Sequence, residues 1–411
     1  MENKKIYFWA VLSKIVIVLI TILSTALINR NLGVNLKGEY AYVINIVNIL
    51  EVVFSLGVGI TYATFKRKSN VDKNIFVSLT IYISAIVLLI ALGFMLINSN
   101  VSLILLLTSF TIIKNNYLTI AAIEDVKKRD KKNILFKTIY LLFVTLIYFY
   151  YKEKLLLVYV AYLIDCIITG TVIFKAYNFK LLSIKDIINN NFKSIVTFGL
   201  LSMQMQLLIS FNYNLDIIVL KKMSNSYYVG LYSVAVFLSN MLWIIPDAFK
   251  DVLFHKTSKN DSINEIVFLT KINLIIAFIG IVGFSIFGKL FINVLYGVEF
   301  TESYYPTLVL FVGGLSMIIY KMIHPLYVSK GKQKIVMVIL LVAVILNLFL
   351  NILLIPKYNI YGAAVSSVFS YTLCSFIFIY IFRKDYKITV KELLFLNKKD
   401  IEIIRSFLKN K

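Results

Sequence analysis

The sequence predicts an all-α polytopic membrane protein with about 12 transmembrane helices, arranged as two six-helix lobes around a central cavity. Three observations lead to this fold class. Hydrophobic residues make up 60% of the chain, and the mean hydropathy is +0.84. Apolar stretches of about 20 residues, enough for a helix to cross roughly 30 Å of hydrocarbon, recur along the chain. Lys and Arg are unevenly distributed among the connecting loops.

The apolar stretches are continuous and lack the period-two alternation of barrel strands, so each is predicted to be a helix. In chain order they cover residues 6–29, 41–64, 76–97, 102–122, 134–151, 155–175, 195–220, 228–246, 266–288, 304–322, 335–355 and 360–382. The first six belong to a predicted N-terminal lobe, 1–182, and the last six to a C-terminal lobe, 183–383. A basic, amphipathic cytoplasmic tail is predicted over 384–411.

A short G-x-Y pattern recurs near the start of the second span of each predicted lobe, at Gly38 and at Gly230. Six spans per lobe give both lobes the same orientation. The pattern therefore suggests parallel repeats about an axis along the membrane normal, an arrangement found in transporters.

The basic residues predict the topology. Of the 43 Lys and Arg residues, 31 lie on the side that holds both termini, 8 lie in loops on the other side, and 4 lie inside predicted spans. The positive-inside rule then places both termini in the cytoplasm. Because topology explains the net charge of +22, nucleic acid is not an expected partner.

Catalytic motifs are absent from the sequence. There is no P-loop, no G-x-S-x-G and no H-E-x-x-H, and only two His residues occur. Cys166 and Cys374 lie mid-span, which argues against a disulfide framework or a metal site. The short outer loops, the longest about 289–303, disfavour a membrane glycosyltransferase or polymerase. We expect neither an enzyme nor a cofactor.

Polar side chains recur at helical spacing inside three predicted spans. Interhelical hydrogen bonds explain a single stripe of this kind, but three stripes favour a shared hydrated interior. The stripes are Lys14, Thr21 and Thr25; Asn45, Asn48, Glu51 and Ser55; and Ser202, Gln206, Ser210 and Asn214. Asn48 and Gln206 are candidate substrate-binding residues.

Two lysines are the main candidates for contact with an anionic substrate. Lys14 and Lys114 each lie about eight residues from the cytoplasmic end of their spans, roughly 12–13 Å deep. A shared depth lets both lysines address one phosphate group. The alternative is structural pairing with Glu51 or Asp165. Lys271 and Lys321 are shallower and are expected to snorkel to the surface.

Acidic residues within the membrane are the candidate counter-ions. Glu51 and Asp165 lie mid-span, where they either balance the lysines or bind a coupling proton or sodium ion. Asp216, near the outer end of its span, is a third candidate. His324 is interpreted as an interfacial residue.

Several segments carry a resemblance to a known family. They are 27–33 (LINRNLG), 38–40 (GEY), 215–220 (LDIIVL), 229–233 (VGLYS), 295–300 (LYGVEF) and 353–364 (LLIPKYNIYGAA), which together span nearly the full chain. In these segments the chain resembles the polysaccharide-repeat-unit (Wzx-type) flippases of the multidrug/oligosaccharidyl-lipid/polysaccharide exporter superfamily. The last segment is the most specific.

The resemblance implies a flippase of the bacterial cytoplasmic membrane. It would move an undecaprenyl-pyrophosphate-linked oligosaccharide from the inner to the outer leaflet by alternating access, for O-antigen or capsule synthesis. The expected partners are this lipid-linked oligosaccharide, membrane lipids, and a glycan polymerase or other assembly proteins. The alternatives are a cation-coupled multidrug exporter of the same superfamily and a non-transporting scaffold in a glycan-assembly complex.

Overall fold

The computed structural model describes residues 2–69, 71–189, 192–257, 262–398 and 400–402. Within these ranges the chain is almost entirely helical and holds no β-strand, which confirms the predicted all-α class. The helices are α1 Glu2–Phe54, α2 Val58–Ser69, α3 Lys73–Phe94, α4 Ser99–Glu124, α5 Val126–Tyr150, α6 Leu155–Ala176, α7 Ile184–Asn189, α8 Phe192–Met223, α9 Ser226–Asn240, α10 Ile244–Thr257, α11 Ile263–Leu295, α12 Tyr304–Ser329, α13 Gln333–Tyr386 and α14 Val390–Leu394.

Two of the helical stretches are long enough to cross the membrane twice. α1 has 53 residues and α13 has 54, which at about 1.5 Å per residue is roughly 80 Å. Each is interrupted by one residue of non-helical backbone, Gly33 (φ 65°) and Asn359 (φ 46°). Ten described stretches are long and apolar enough to span, so counting each of these two as a pair gives the twelve predicted spans.

Local chemistry explains both interruptions. A positive φ carries no Cβ penalty at glycine, and asparagine tolerates it better than most residues. Pro356, three residues before Asn359, also lacks the N–H that an uninterrupted helix would use. Both interruptions fall in loops that the sequence predicts, 30–40 and 356–359.

The internal contacts divide the chain into two compact units. The N-terminal unit contains Met1–Gly230 and Leu295–Glu299, and the C-terminal unit contains Leu231–Val294 and Phe300–Lys411. The units are defined by contacts between residues, whereas the predicted lobes are defined by counting six spans each. The bounds of the units therefore do not test the bounds of the lobes. The lobe limits at 182 and 383 stay a prediction.

The second predicted span, 41–64, is broken in the N-terminal unit. α1 ends at Phe54 and α2 begins at Val58, and Leu56 (φ 48°) and Gly57 (φ 64°) lie between them. α8 packs closely against the break. A Cβ on Gly57 would lie 2.5 Å from the carbonyl oxygen of Gly199, and a Cβ on Gly199 would lie 2.4 Å from that of Leu56. Only glycine permits this approach.

The glycines of the two G-x-Y patterns each pack against backbone within the N-terminal unit. A Cβ on Gly38 would lie 1.8 Å from the carbonyl oxygen of Ser226, and a Cβ on Gly230 would lie 2.1 Å from that of Val34. Beside them, Lys221 Nζ lies 2.5 Å from Glu39 Oε1. Gly38 and Gly230 therefore each allow a close contact with the backbone of another segment. Close packing explains why glycine recurs in the pattern.

Two membrane lysines of the C-terminal unit are buried in ion pairs. Lys271 is 1% exposed, and its Nζ lies 2.6 Å from Asp400 Oδ2. Lys321 is 6% exposed, and its Nζ lies 2.8 Å from Asp247 Oδ1 and 4.7 Å from the Trp243 ring centroid. The snorkelling predicted for both lysines is wrong. Their partners lie 129 and 74 residues away in sequence, beyond the reach of a local pattern.

The predicted cytoplasmic tail begins at the end of α13 and is partly described. α14 starts with a capping box, in which hydrogen bonds from the backbone and hydroxyl of Thr389 lower the pKa of the Glu392 carboxyl. Leu393 and Asp400 are buried in the C-terminal unit. The tail residues 403–411 lie outside the described residues, so an amphipathic surface helix there stays a prediction.

Candidate substrate site

A polar cavity of about 310 Å³ lies within the N-terminal unit, beside the break between α1 and α2. The cavity brings together residues from four helices. It is lined by Glu51 from the last turn of α1, Ser55 from the break, Ile60 from α2, Asn115, Asn116, Leu118 and Thr119 from α4, and Gln206 from α8. The predicted polar stripes of the second and seventh spans therefore meet here, through Glu51, Ser55 and Gln206.

Asn116 is held rigidly at the wall of this cavity. Its Oδ1 accepts a hydrogen bond of 2.9 Å from the backbone N–H of Gly59, in the first turn of α2. A Cβ on Gly59 would lie 2.5 Å from the same Oδ1, so glycine is needed for this contact. Asn116 Nδ2 is buried and has no hydrogen-bond partner in the described structure. The bond to Gly59, at the break in the second span, thus fixes the orientation of the Asn116 amide, whose Nδ2 donor is not used.

Glu51 is the one ionisable side chain among the lining residues. It is half-buried, and the Asn115 side chain hydrogen-bonds to it. Within the described ranges Glu51 forms no ion pair with Lys or Arg. The cavity therefore combines one carboxylate with amide and hydroxyl groups that both donate and accept hydrogen bonds.

A separate charge cluster adjoins the cavity along α4. Lys114 Nζ donates to Asp165 Oδ2 of α6, and Lys137 Nζ of α5 lies 3.5 Å from the same oxygen. Lys114 Nζ also lies 5.3 Å from the Tyr162 ring centroid. The Asp165 side chain is 3% exposed and the two lysines 12% and 22%. Two cations thus face one carboxylate, which leaves one positive charge in excess.

Lys14 lies on α1, next to a contact between α1 and α5. The neighbouring Ser13 hydroxyl donates to Asp130 Oδ2 at 2.9 Å, which places this turn of α1 level with the start of α5. Asp130 precedes Lys137 by seven residues, or about 10 Å along the helix axis. The common depth of Lys14 and Lys114 stays a prediction. Lys14 itself is half-buried.

The fold that carries this site is shared with known transporters. No protein-family profile matches the sequence. A multidrug resistance MATE transporter of the MOP superfamily in its inward-facing conformation superposes with a TM-score of 0.65 at 12% identity, over 90% of this chain and 94% of that one. The lipid II flippase MurJ, in an inward closed conformation, superposes with a TM-score of 0.70 at 15% identity, over 94% and 89%. The chain shares the fold of these two transporters.

One curated relative adds a sequence match to this shared fold. The capsular polysaccharide biosynthesis protein CapF of Staphylococcus aureus is 25% identical over 231 residues, which is 54% of this chain and 58% of CapF. The match therefore spans less than two thirds of that protein's length.

The remaining candidate residues occupy other places in the fold. Asn48 is half-buried on α1, one turn before Glu51, but does not line the cavity. Asp216, interpreted from the sequence as near the outer surface, is 2% exposed on α8. In the same helix Asn214 Nδ2 donates to Ser210 Oγ at 3.2 Å, so this part of the predicted stripe bonds within its own helix.

Sequence reasoning missed four residues of the site. Lys137 is one of the 31 basic residues assigned to the side that holds both termini, although it lies three residues inside the predicted fifth span. Asn115 and Asn116 follow Lys114 directly and Thr119 comes three residues later, so polar residues clustered in the middle of a predicted span are a usable signal.

Proposed function

We propose that the protein is a flippase that moves an undecaprenyl-pyrophosphate-linked oligosaccharide repeat unit across the bacterial cytoplasmic membrane. Two names among the similar proteins support it: a lipid II flippase shares the fold, and a capsular polysaccharide biosynthesis protein shares part of the sequence. On this proposal the glycan serves a surface polysaccharide, either O-antigen or capsule. A glycan polymerase and other assembly proteins would then be its functional partners.

The observation that carries the proposal is the excess positive charge at Lys114, Asp165 and Lys137. An unbalanced charge inside a membrane protein is costly and normally marks a substrate or ion pathway. A lipid diphosphate brings the negative charge that this cluster lacks, and ammonium groups bind phosphate well. Outward movement of an anion is also favoured by an inside-negative potential, by about 2.3 kcal/mol per charge per 100 mV.

The direct test is deletion of the gene followed by analysis of membrane lipids. We expect lipid-linked repeat units to accumulate on the cytoplasmic leaflet and surface glycan to disappear. Lys114→Ala and Lys137→Ala should reproduce the loss more fully than Lys14→Ala, because Lys14 lies outside the cluster. Normal surface glycan in the deletion strain would overturn the proposal.

A cation-coupled multidrug exporter is the second candidate, and Glu51 is the observation that favours it. A carboxylate without a basic partner in the described structure is suited to an organic cation, a proton or sodium. Drug hypersensitivity of the deletion strain, with intact surface glycan, would select this function. A strain with both phenotypes unchanged would point to the non-transporting scaffold.

A further inference from the structure

A groove of about 370 Å³ lies in the C-terminal unit, between α12, the second half of α13 and α14. Phe376 and Tyr380 line it, and with Phe369 they recur at steps of seven and four residues on one face of α13. These three side chains are between 57% and 67% exposed. Since they lie in the predicted twelfth span, 360–382, this exposed apolar face contacts the hydrocarbon of the membrane.

The length of the groove matches one leaflet of the bilayer. Its lining on α13 extends from Thr372 to Arg383, eleven positions or about 16 Å along the helix. Half of a hydrocarbon core of about 30 Å is about 15 Å. Because α13 ends at the predicted cytoplasmic tail, this is the cytoplasmic leaflet on the predicted topology.

The deep end of the groove is closed and has no need of a polar ligand. Ser316 Oγ and Thr372 Oγ1 lie 3.3 Å apart, and the Ser375 hydroxyl donates to the carbonyl oxygen of Ser316. One turn deeper, a Cβ on Gly313 would lie 3.0 Å from Val368 Cα, so α12 and α13 are in close contact there. The hydroxyls thus satisfy one another, and the groove above them suits a hydrocarbon chain.

The opposite end of the groove is basic. Arg383 lines it, and the exposed lysines that follow within eight residues are Lys384, Lys387 and Lys391. None of these four residues forms an ion pair within the described ranges. The neighbouring carboxylates are already engaged, because Asp385 lies 3.3 Å from Lys332 Nζ and Glu392 closes the capping box with Thr389. This end therefore carries an excess of positive charge that an anion can balance.

The wall at the basic end is fixed by the fold. Lys387 (φ 56°) ends α13 and turns the chain, so that Val390 and Leu394 of α14 line the groove. Leu393 of α14 is buried, and the ion pair of Asp400 holds the segment that follows. A charged end and an apolar channel are thus held together in one place.

We propose that this groove binds one anionic phospholipid of the cytoplasmic leaflet, with an acyl chain in the groove and the phosphate at Arg383. Basic pockets beside membrane helices on the cytoplasmic side are suited to anionic headgroups. At ~30 Å³ for a group the size of water, the groove holds about a dozen such groups, enough for one acyl chain. The second chain stays in the bilayer, and the much longer undecaprenyl chain is too large.

The bound lipid would join α12, α13 and α14 and so hold the tail against the membrane. The inference does not depend on the cargo, so a failure of the proposed flippase function would leave it unaffected.

The test is photo-crosslinking of the full-length protein in dioleoyl phosphatidylcholine nanodiscs. The probes are a phosphatidylglycerol and a phosphatidylcholine, each with a diazirine at the end of one acyl chain, and mass spectrometry of peptides locates the crosslinks. We expect crosslinks near Ser316 and Thr372, where the chain end would lie. The yield there should be about fivefold higher for phosphatidylglycerol.

Two adjacent basic residues provide a matched control for the headgroup. Arg383→Gln should lower the phosphatidylglycerol yield about fivefold, to that of phosphatidylcholine, whereas Arg383→Lys should retain most of it. Lys384 is exposed and does not line the groove, so Lys384→Gln should change the yield by less than about twofold.

A second pair of variants tests the acyl channel. Val390 of α14 is half-buried in the groove wall, so Val390→Trp should fill the channel and abolish crosslinks near Ser316 with both probes. Val338, in the first half of α13, is exposed and does not line the groove. Val338→Trp should leave the crosslinks unchanged.

Several results would overturn the phospholipid site. Equal yields for the two probes, or crosslinks spread over the whole lipid-facing surface, would mean ordinary bilayer contact only. Equal effects of Arg383→Gln and Lys384→Gln would remove the specific role of Arg383. Displacement of the phosphatidylglycerol probe by undecaprenyl phosphate at lower concentrations than by unlabelled phosphatidylglycerol would assign the groove to a polyprenyl lipid instead.

Discussion

Individual residues of the N-terminal unit form two sites of opposite character on one helix, α4. Lys114 turns toward Asp165 and Lys137, whereas Asn115 and Asn116, the next two residues, line the polar cavity. Neighbours on a helix point about 100° apart, so one short segment serves both sites. Charged groups and neutral hydrogen-bonding groups are thereby kept on different sides of α4.

Asp165 is the residue on which the lysine cluster depends. Asp165→Asn leaves two largely buried lysines without their counter-ion, and we expect a loss of stability on the order of 3–5 kcal/mol. The measurement is thermal unfolding of the purified protein in detergent. Adding Lys137→Met to Asp165→Asn should restore part of the loss, since it removes one of the unpaired charges. No recovery in the double variant would contradict a purely electrostatic origin.

At the scale of helices, the break between α1 and α2 positions the cavity. The break lets α8 approach through Gly199, presents the N–H of Gly59 to Asn116, and leaves Glu51 on the last turn of α1. Interrupted membrane helices commonly line binding sites, because their free backbone groups and altered direction create polar pockets. A continuous helix over 41–64 would lack these features.

Glycine substitutions test the importance of this break. Gly199→Ala places a Cβ within 2.4 Å of a backbone oxygen, so we expect destabilisation of about 1–3 kcal/mol and loss of the α1–α8 approach. Gly93 of α3 is the control, because its Cβ would meet no atom within 4 Å. Gly93→Ala should leave stability unchanged or raise it slightly, by up to ~1 kcal/mol. Comparable losses from both variants would argue against the contact.

The tail is tied to α11 by the pair of Lys271 and Asp400. Asp400 also accepts from the backbone N–H of Asn397 at 2.8 Å, which fixes the turn that carries it. Asp400→Ala leaves Lys271 buried and unpaired, so we expect a loss of about 3–5 kcal/mol. Lys398→Ala, at an exposed position in the same turn, should have no effect. Limited proteolysis should cut the tail faster in Asp400→Ala than in Lys398→Ala.

At the scale of the whole molecule, the basic residues predict the orientation in the membrane. Lys152, between α5 and α6, lies on the predicted outer side of the membrane, where Lys and Arg are few. Lys185 of α7 lies on the predicted cytoplasmic side, where they are many. A membrane-impermeant maleimide should label Lys152→Cys in intact cells and should label Lys185→Cys only after permeabilisation. Cys166 and Cys374 are buried and give little background. The reverse pattern would invert the predicted topology.

The sequence alone determined the helical class, the approximate number of spans, and the loops 30–40 and 356–359 in which the helix interruptions at Gly33 and Asn359 fall. These depend on local composition, since hydrophobic length and helix-breaking residues act over a few turns. It also pointed to Lys114, Asp165, Glu51 and Gln206 as polar residues that a membrane interior needs a reason to keep.

Tertiary structure decided which of these residues meet. Only the packing of α4, α5 and α6 brings Lys137 to Asp165, and only the α1–α2 break brings Asn116 beside Glu51 and Gln206. The partners are far apart in sequence, and side-chain burial depends on neighbouring helices that no local pattern encodes. For the same reason the sequence could not show that the side chains of Lys271 and Lys321 are buried in ion pairs.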